Sequence, residues 1–493
     1  MLPSAAILLL VSLGTTPQAK PKADTSAALH AERRAIREVE TKALRSLADG
    51  RNGAEAEAIR PLIETAPSEE GPTRFRPLPE VVEEAVSPPL AARDAAAAEL
   101  FALAARAAKI GRYSLADDCL RGVIARQPDH KEARRLLGYV PHAGGWATPY
   151  AVEKFKNGWV DHPTFGWVPA SWVPHLAKGE LPGPVKPGKP VKWLPTDQAD
   201  DLRRDIAEGW TIETAHFVIR TNVPLSEAIR FGRKLEAFRD LFFALTSDVA
   251  GRDSPLSQRY DSPSPARVQT RKHRIWYFAA QAEYIGYLRP KLGNGVEDEI
   301  GHYARPAKPG GSGTSYFFRD PEGTMDVDAT LYHEASHQLL FESGGRNDYE
   351  KNAGGFWVFE GLGTYFETVT PKPDGTIEVG GLVGPRIEQA RIRLLEKDQF
   401  IPIAELVDLD QADFSGDRAI FLRYAESMAL AVFLMQGEGR AFREPFLDYA
   451  RDAVKGNLRR GRGQSLEARL GVPYTTLDRR FLAFLKAGTV GSR

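Results

Sequence analysis

Five consecutive residues, His333-Glu334-Ala335-Ser336-His337, set the strongest limit on how this chain can fold. They lie in DATLYHEASHQLLFES, where Ala329, Leu331, Ala335, Leu339 and Leu340 supply a helical background. Four residues make about one helical turn, so both imidazoles leave the same face and can reach one zinc ion at ~2.0–2.1 Å. Glu334, beside the first histidine, can reach a metal-bound water without being a ligand itself.

Two ligands are too few, because a catalytic zinc site generally takes three from the protein and leaves a position for water. Downstream, GGFWVFEGLGTYFE opens with glycines and continues as a helical segment, and its Glu360 follows His337 by 23 positions (360 − 337). The intervening SGGRNDYEKNAGG reads as a loop that lets a second helix lie against the first. Glu360 is therefore the expected third ligand.

HEASH followed by FWVFEGLGTYFE resembles the gluzincin signature, HExxH and then WxxEGxxxYxE, of thermolysin-like, collagenase-like and other peptidase MA clan proteins. It is also similar to a bacterial family of unknown function in that clan, many of whose members are exported and carry helical repeats ahead of the peptidase-like region. The resemblance spans residues 205 to 485 and is strongest between Asp326 and Glu367. It implies zinc ligation by His333, His337 and Glu360, with Glu334 as general base.

One position departs from the family pattern, which usually has an acid four residues after the third ligand to orient a histidine; here stands Thr364. Glu367, seven residues after Glu360, returns to the same helical face and can accept an imidazole N–H instead, the plain alternative being a solvated carboxylate. Tyr424, in FLRYAESMALAVFLM, is similar to the Tyr-Ala-x-Ser-x-Ala-Leu segment of the same family. A phenol there can donate to the oxyanion formed when water attacks a carbonyl, or it simply packs on the core. His302, in IGHYARP, is a second candidate for that donor position. By the same resemblance, Ser315 to Phe318 would be the edge strand that flanks the cleft and binds an extended peptide by strand addition.

The expected chemistry is hydrolysis of a peptide bond by zinc-activated water, with Glu334 moving the proton. Two other readings stay open: a catalytically silent relative that binds partners through its N-terminal modules, and a metal hydrolase acting on a different bond.

At 493 residues the chain exceeds one ordinary core, and 42% apolar and 10% aromatic residues suffice for several. Sixty-five basic residues against sixty-five acidic ones give no overall field for nucleic acid, and the Arg459, Arg460, Arg462 run reads as a solvated loop. Residues 1–19 carry an apolar run, Ala5 to Leu13, before small and polar residues, as in an export signal, with Ala19 and Ala23 as alternative cleavage points. Past it no stretch approaches the ~18 apolar residues of a membrane span, so the expected mature form is soluble and periplasmic or extracellular. The lone Cys119 reads as a small buried side chain.

Residues 20–93 read as helices broken by a linker, and 94–140 as a tetratricopeptide-like hairpin capped by Asp94 and turning at Gly111. In it, Leu137 and Gly138 follow Leu103 and Ala104 by one repeat of about 34 residues. This region could hold a protein partner. Residues 141–190 read as a small β module rich in tryptophan (Trp146, Trp159, Trp167, Trp172) ending in a Pro-rich spacer, with a boundary near residue 190. Residues 191–493 would then form an α+β, gluzincin-like unit: a twisted sheet, two active-site helices and a helical C-terminal part. Its partner is a peptide or protein substrate and its cofactor one Zn2+.

Overall fold

The computed structural model describes residues 25–63, 71–83, 90–184, 190–268, 271–293, 295–306, 311–323, 325–343, 355–382, 384–416, 418–458 and 463–488. The expected export signal, the Arg459, Arg460 and Arg462 run, and nearly all of the loop expected between the two site helices lie outside them. Helices and short strands in several small sheets make the fold α+β.

Helix α1 (Ser26–Asp49) starts where Thr25 Oγ1 accepts the Ala28 N–H, and it buries Leu29, Ile36 and Leu44. Two short strands, β1 (Thr73–Phe75) and β2 (Val81–Val82), precede the helical hairpin of α2 (Ala91–Lys109) and α3 (Tyr113–Arg126). Gly111 turns the hairpin at a φ of 78°, where a Cβ would be strained. The first helix begins ahead of Asp94, which sits in its first turn and complements the helix dipole there instead of capping it. Leu100, Leu103, Ala104, Ala107, Ala116, Leu120 and Val123 are buried between the helices, with Cys119 among them. A second full repeat does not follow: after a six-residue helix, Lys131–Leu136, the chain enters β3 (Val140–His142) and β4 (Gly145–Ala147), with β2 pairing on β4.

The Trp-rich stretch continues as separate hairpins, β5 (Trp159–His162) with β6 (Gly166–Pro169), then β7 (Glu180–Pro182) with β8 (Trp193–Pro195). Trp146 enters the core of the helical hairpin and donates through Nε1 to Asp129, while Trp167 donates to Glu80 at 2.6 Å. The described residues on either side of the Pro-rich segment expected as a spacer pair as β7 and β8, with the Gly183 N–H donating to the Lys192 carbonyl at 2.7 Å. Leu181 and Leu194 from this hairpin enter the same core as the central sheet and the site helices, so no boundary near residue 190 separates two cores. Composition shows where proline and glycine gather but not whether the strands beside them share one core, which is why it misplaced the boundary.

WTIETAHFVIRTN alternates apolar and polar residues like a single half-buried strand, but it folds as a hairpin of β9 (Trp210–Glu213) and β10 (Phe217–Thr221). Then come α4 (Leu225–Ala250), β11 (His273–Phe278), α5 (Gln281–Leu292), β12 (Gly301–Ala304) and β13 (Thr314–Phe318). The five strands run β12-β13-β11-β10-β9, parallel in the middle and antiparallel at both edges. This corrects the expectation for Ser315 to Phe318: β13 lies inside the sheet, and the edge strand is β12, with His302 opposite Tyr316.

The remaining elements that place the site are α6 (Val327–Ser343), α7 (Trp357–Phe366), β14 (Thr370–Pro371), β15 (Ile377–Val379), α8 (Pro385–Arg391), α9 (Ile420–Gln436) and α10 (Arg443–Val454). Strand β15 pairs with β14 and, on its other side, with β1, setting Phe75 opposite Ile377. Phe238 of α4 meets Tyr332 of α6 and Phe366 of α7, joining the long helix to both site helices. Among the described residues no helix is long and apolar enough to cross a membrane.

Candidate metal centre

Helix α6 forms where the sequence places it, with Asp326 Oδ1 accepting the Ala329 N–H at 3.0 Å as an N-cap would. Its inner face buries Leu331, Ala335, Leu339 and Leu340, while His333 and His337, one turn apart, look toward α7. Helix α7 is buried throughout, its Trp357 stacked on Phe446 and Tyr449 of α10. Two glycines let α7 come close to its neighbours. A Cβ on Gly361 would sit 3.1 Å from the Ser427 carbonyl of α9, and one on Gly363 would sit 2.9–3.1 Å from three atoms of the His333 ring.

Three side chains converge. His333 Nε2 and His337 Nε2 are 2.9 Å apart, and Glu360 Oε2 lies 3.3 Å from the first and 3.6 Å from the second. Ligand atoms around a tetrahedral zinc at ~2.0–2.1 Å are spaced by about 3.3 Å, so the three separations bracket what that ion requires. Glu360 Oε2 is buried and accepts no well-formed hydrogen bond, an oxygen left for a cation to satisfy. Among the described residues these three form the one group of histidine, cysteine or acid side chains close enough to share an ion.

The electrostatics agree with the geometry. Burial works against a charged imidazole at His333, yet the nearby carboxylates of Glu360 and Glu367 outweigh it and push the pKa up to about 10. Burial likewise disfavours the Glu360 carboxylate, but the two imidazoles hold its pKa well below the usual range. The pocket is arranged to keep positive charge between its walls.

Support for the ligands comes from farther along the chain. Glu367 Oε1 lies 2.9 Å from His333 Nδ1, and since a carboxylate only accepts, Nδ1 carries the proton and Nε2 turns to the pocket. Arg386 of α8 grips Glu367 with two hydrogen bonds, Nε to Oε2 at 2.6 Å and Nη2 to Oε1 at 3.1 Å. Thr364 spends its hydroxyl on the backbone carbonyls of Glu360 and Gly361 and does not reach the imidazole. Arg386 and Gly363 were not singled out in the sequence; the glycine stands in the EGLG segment, but Arg386 has no motif to announce it.

Glu334 is half-buried, makes no hydrogen bond with described residues, and lies under β12: a Cβ on Gly301 would be 3.3 Å from Glu334 Cγ. The Tyr424 ring is 6.4 Å from the His333 ring, and the Arg386 guanidinium is 5.5 Å from the Tyr424 ring. Burial first, then the carboxylates of Glu360 and Glu334, push the Tyr424 pKa up, which keeps its hydroxyl a donor. His302 is on the nearby edge strand but pairs with Glu299 at 3.1 Å and is outside the three-ligand group.

Part of the chain, which holds the three converging side chains and their supports, matches a known family. Residues 327–454 match a family described as Protein of unknown function (DUF1570). The matched segment begins with α6, ends with α10, and so contains His333, His337, Glu360, Glu334, Glu367, Arg386 and Tyr424, while the five-stranded sheet and the N-terminal modules lie before it. No curated protein matches the chain.

Proposed function

We propose that the chain is a zinc-dependent peptidase of the gluzincin kind, in which His333, His337 and Glu360 hold the metal. The reading rests on one observation: a buried triangle of two Nε2 atoms and an unsatisfied carboxylate oxygen, with Glu334 uncommitted beside it. Zinc held there would supply Lewis acidity, making water easier to deprotonate and a carbonyl easier to attack. Glu334 takes the proton from the attacking water and delivers it to the leaving amine. Tyr424, kept protonated, donates to the oxygen that gains negative charge. Glu367, anchored by Arg386, fixes the His333 ring so that Nε2 stays available as a ligand. The outer side of β12 has no strand partner among the described residues, so its backbone can take an extended peptide beside Glu334.

Metal analysis of the purified chain and of Glu334→Gln, with a protease assay on both, tests this reading. About one zinc is expected in each, because Glu334 is not a ligand, with activity falling by about 10²–10⁴-fold in the variant. Equal activity in the two would remove Glu334 from the mechanism.

The apolar run at Ala5 to Leu13 is proposed to direct export, which N-terminal sequencing of the processed protein would test. A protein partner on the helical hairpin would have to bind outside the sides already packed by α1 and α4.

A further inference from the structure

Helix α4 has two working faces. Phe231, Leu235, Phe238 and Phe242 point into the core that carries the metal centre, while Ile229, Arg233, Glu236, Asp240 and Phe243, at spacings of three and four, follow another face, with Phe243 and Ile229 also touching that core at its margin. That second side borders a cavity of about 1070 Å³, closed by α3, by the β5–β6 hairpin and by the chain between Asp253 and Val268. Such a volume lies just above the range of sites for small organic ligands, about 300–1,000 Å³.

The cavity's acids are largely committed to one another's neighbours. Asp240 accepts from Arg121 with both oxygens and from the Leu78 N–H at 2.8 Å. Glu236 accepts the His216 N–H and pairs with His216 Nδ1, each at 2.7 Å. Asp117 is bound by Arg121 Nε. Arg239 stands apart. It has no hydrogen bond or ion pair with any described residue, its Nε is buried and unsatisfied, and its guanidinium lies 4.7 Å from the centre of the Phe243 ring. Arg259, donating to the Leu136 carbonyl at 3.1 Å, adds a second cation to the same cavity. Burial, resisted by Glu236 and reinforced by Arg259, pulls the Arg239 pKa down to about 10; it remains a cation at neutral pH, held at an energetic cost.

A planar guanidinium with all its donors free and an aromatic ring beneath it is the arrangement that receives a carboxylate. We propose that this cavity binds an organic carboxylate, its head taken by Arg239 and its apolar body lying against Phe243, Ile229 and Trp167. A single negative charge fits better than the two of a phosphate ester, because Glu236, Asp240 and Asp253 already line the walls and each further charge would meet them. The inference is independent of the metal reading, since none of His333, Glu334, His337 and Glu360 lines this cavity, although Glu342 and Ser343 at the end of α6 do.

Calorimetric titration of the full chain with indole-3-propionate and with its amide tests the proposal, using Arg239→Gln and, to exclude the metal centre, His333→Ala. Saturable binding of the acid is expected in the parent and in His333→Ala, at least about tenfold weaker in Arg239→Gln, and absent for the amide. The ligand-free Arg239→Gln chain should melt no lower than the parent, because an unpaired buried charge has been removed. The proposal is overturned by no saturable binding to the parent, by equal binding of the amide, by unchanged binding in Arg239→Gln, by loss of binding in His333→Ala, or by a lower Tm for Arg239→Gln.

Discussion

Gly363 shows how much a ligand depends on what is missing beside it. A methyl group there would press on the His333 ring from 2.9–3.1 Å, while Glu367 holds the other side of that ring. Gly363→Ala is expected to keep its circular dichroism spectrum and to weaken zinc binding by roughly 10–100-fold, the range found when support around a metal-bound histidine is lost. Competition with a chromogenic chelator measures it, and unchanged affinity would show that the ring has room to move. The convergence of His333, His337 and Glu360 was legible in the sequence because helical spacing fixes how side chains at i and i+4 point, and because a metal held by two histidines calls for a third group. Arg386 was not legible. It reaches Glu367 from another helix, across a strand pair, and neither spacing nor residue type in the chain foretells such a contact.

Elements were legible in proportion to their length. The sequence pattern predicts a helix from Leu225 to Leu245, and helix α4 starts there and continues to Ala250. Strand β12 has four residues, one of them glycine, too few for an alternating pattern to stand out, and the resemblance by itself put the sheet edge on its neighbour β13. The pairing of β1 with β15 joins residues some three hundred positions apart, and pairing at that range leaves no trace in local pattern. Contacts between helices are testable at the same scale. Glu40 of α1 and Arg126 of α3 form a buried pair, with Arg126 Nε donating to both carboxylate oxygens at 3.0 and 2.9 Å. Glu40→Ala removes the guanidinium's buried carboxylate partner and should cost about 3–5 kcal/mol in urea unfolding, whereas replacing both residues with methionine should restore most of it. A single-variant loss under about 1 kcal/mol would mean that water reaches the arginine.

For the whole molecule, stability should depend on pH through Glu426, a fully buried acid of α9 with one oxygen unpartnered and the other accepting the Ile401 N–H. Burial pushes its pKa from 4.5 up to about 9. Between those values the folded chain binds a proton that the unfolded chain has lost, so this residue's contribution to stability falls as pH rises through that window. Glu426→Gln removes the titration. Its Tm relative to the parent should climb from pH 5 to pH 8, and a constant difference would place the group in contact with water.

The reach of β1 across to β15 has a further consequence for how this protein can be handled and inherited. A fragment cut at residue 191 would take the ligands with it but leave behind Phe75, Val168, Leu176 and Leu181, which fill the same interior. It would carry a raw strand margin and an oily hollow, and it is expected to aggregate on expression where the chain from Ser26 onward stays monodisperse by size-exclusion chromatography. The front of this polypeptide is masonry in the wall around its chemistry, so the two ends must travel together.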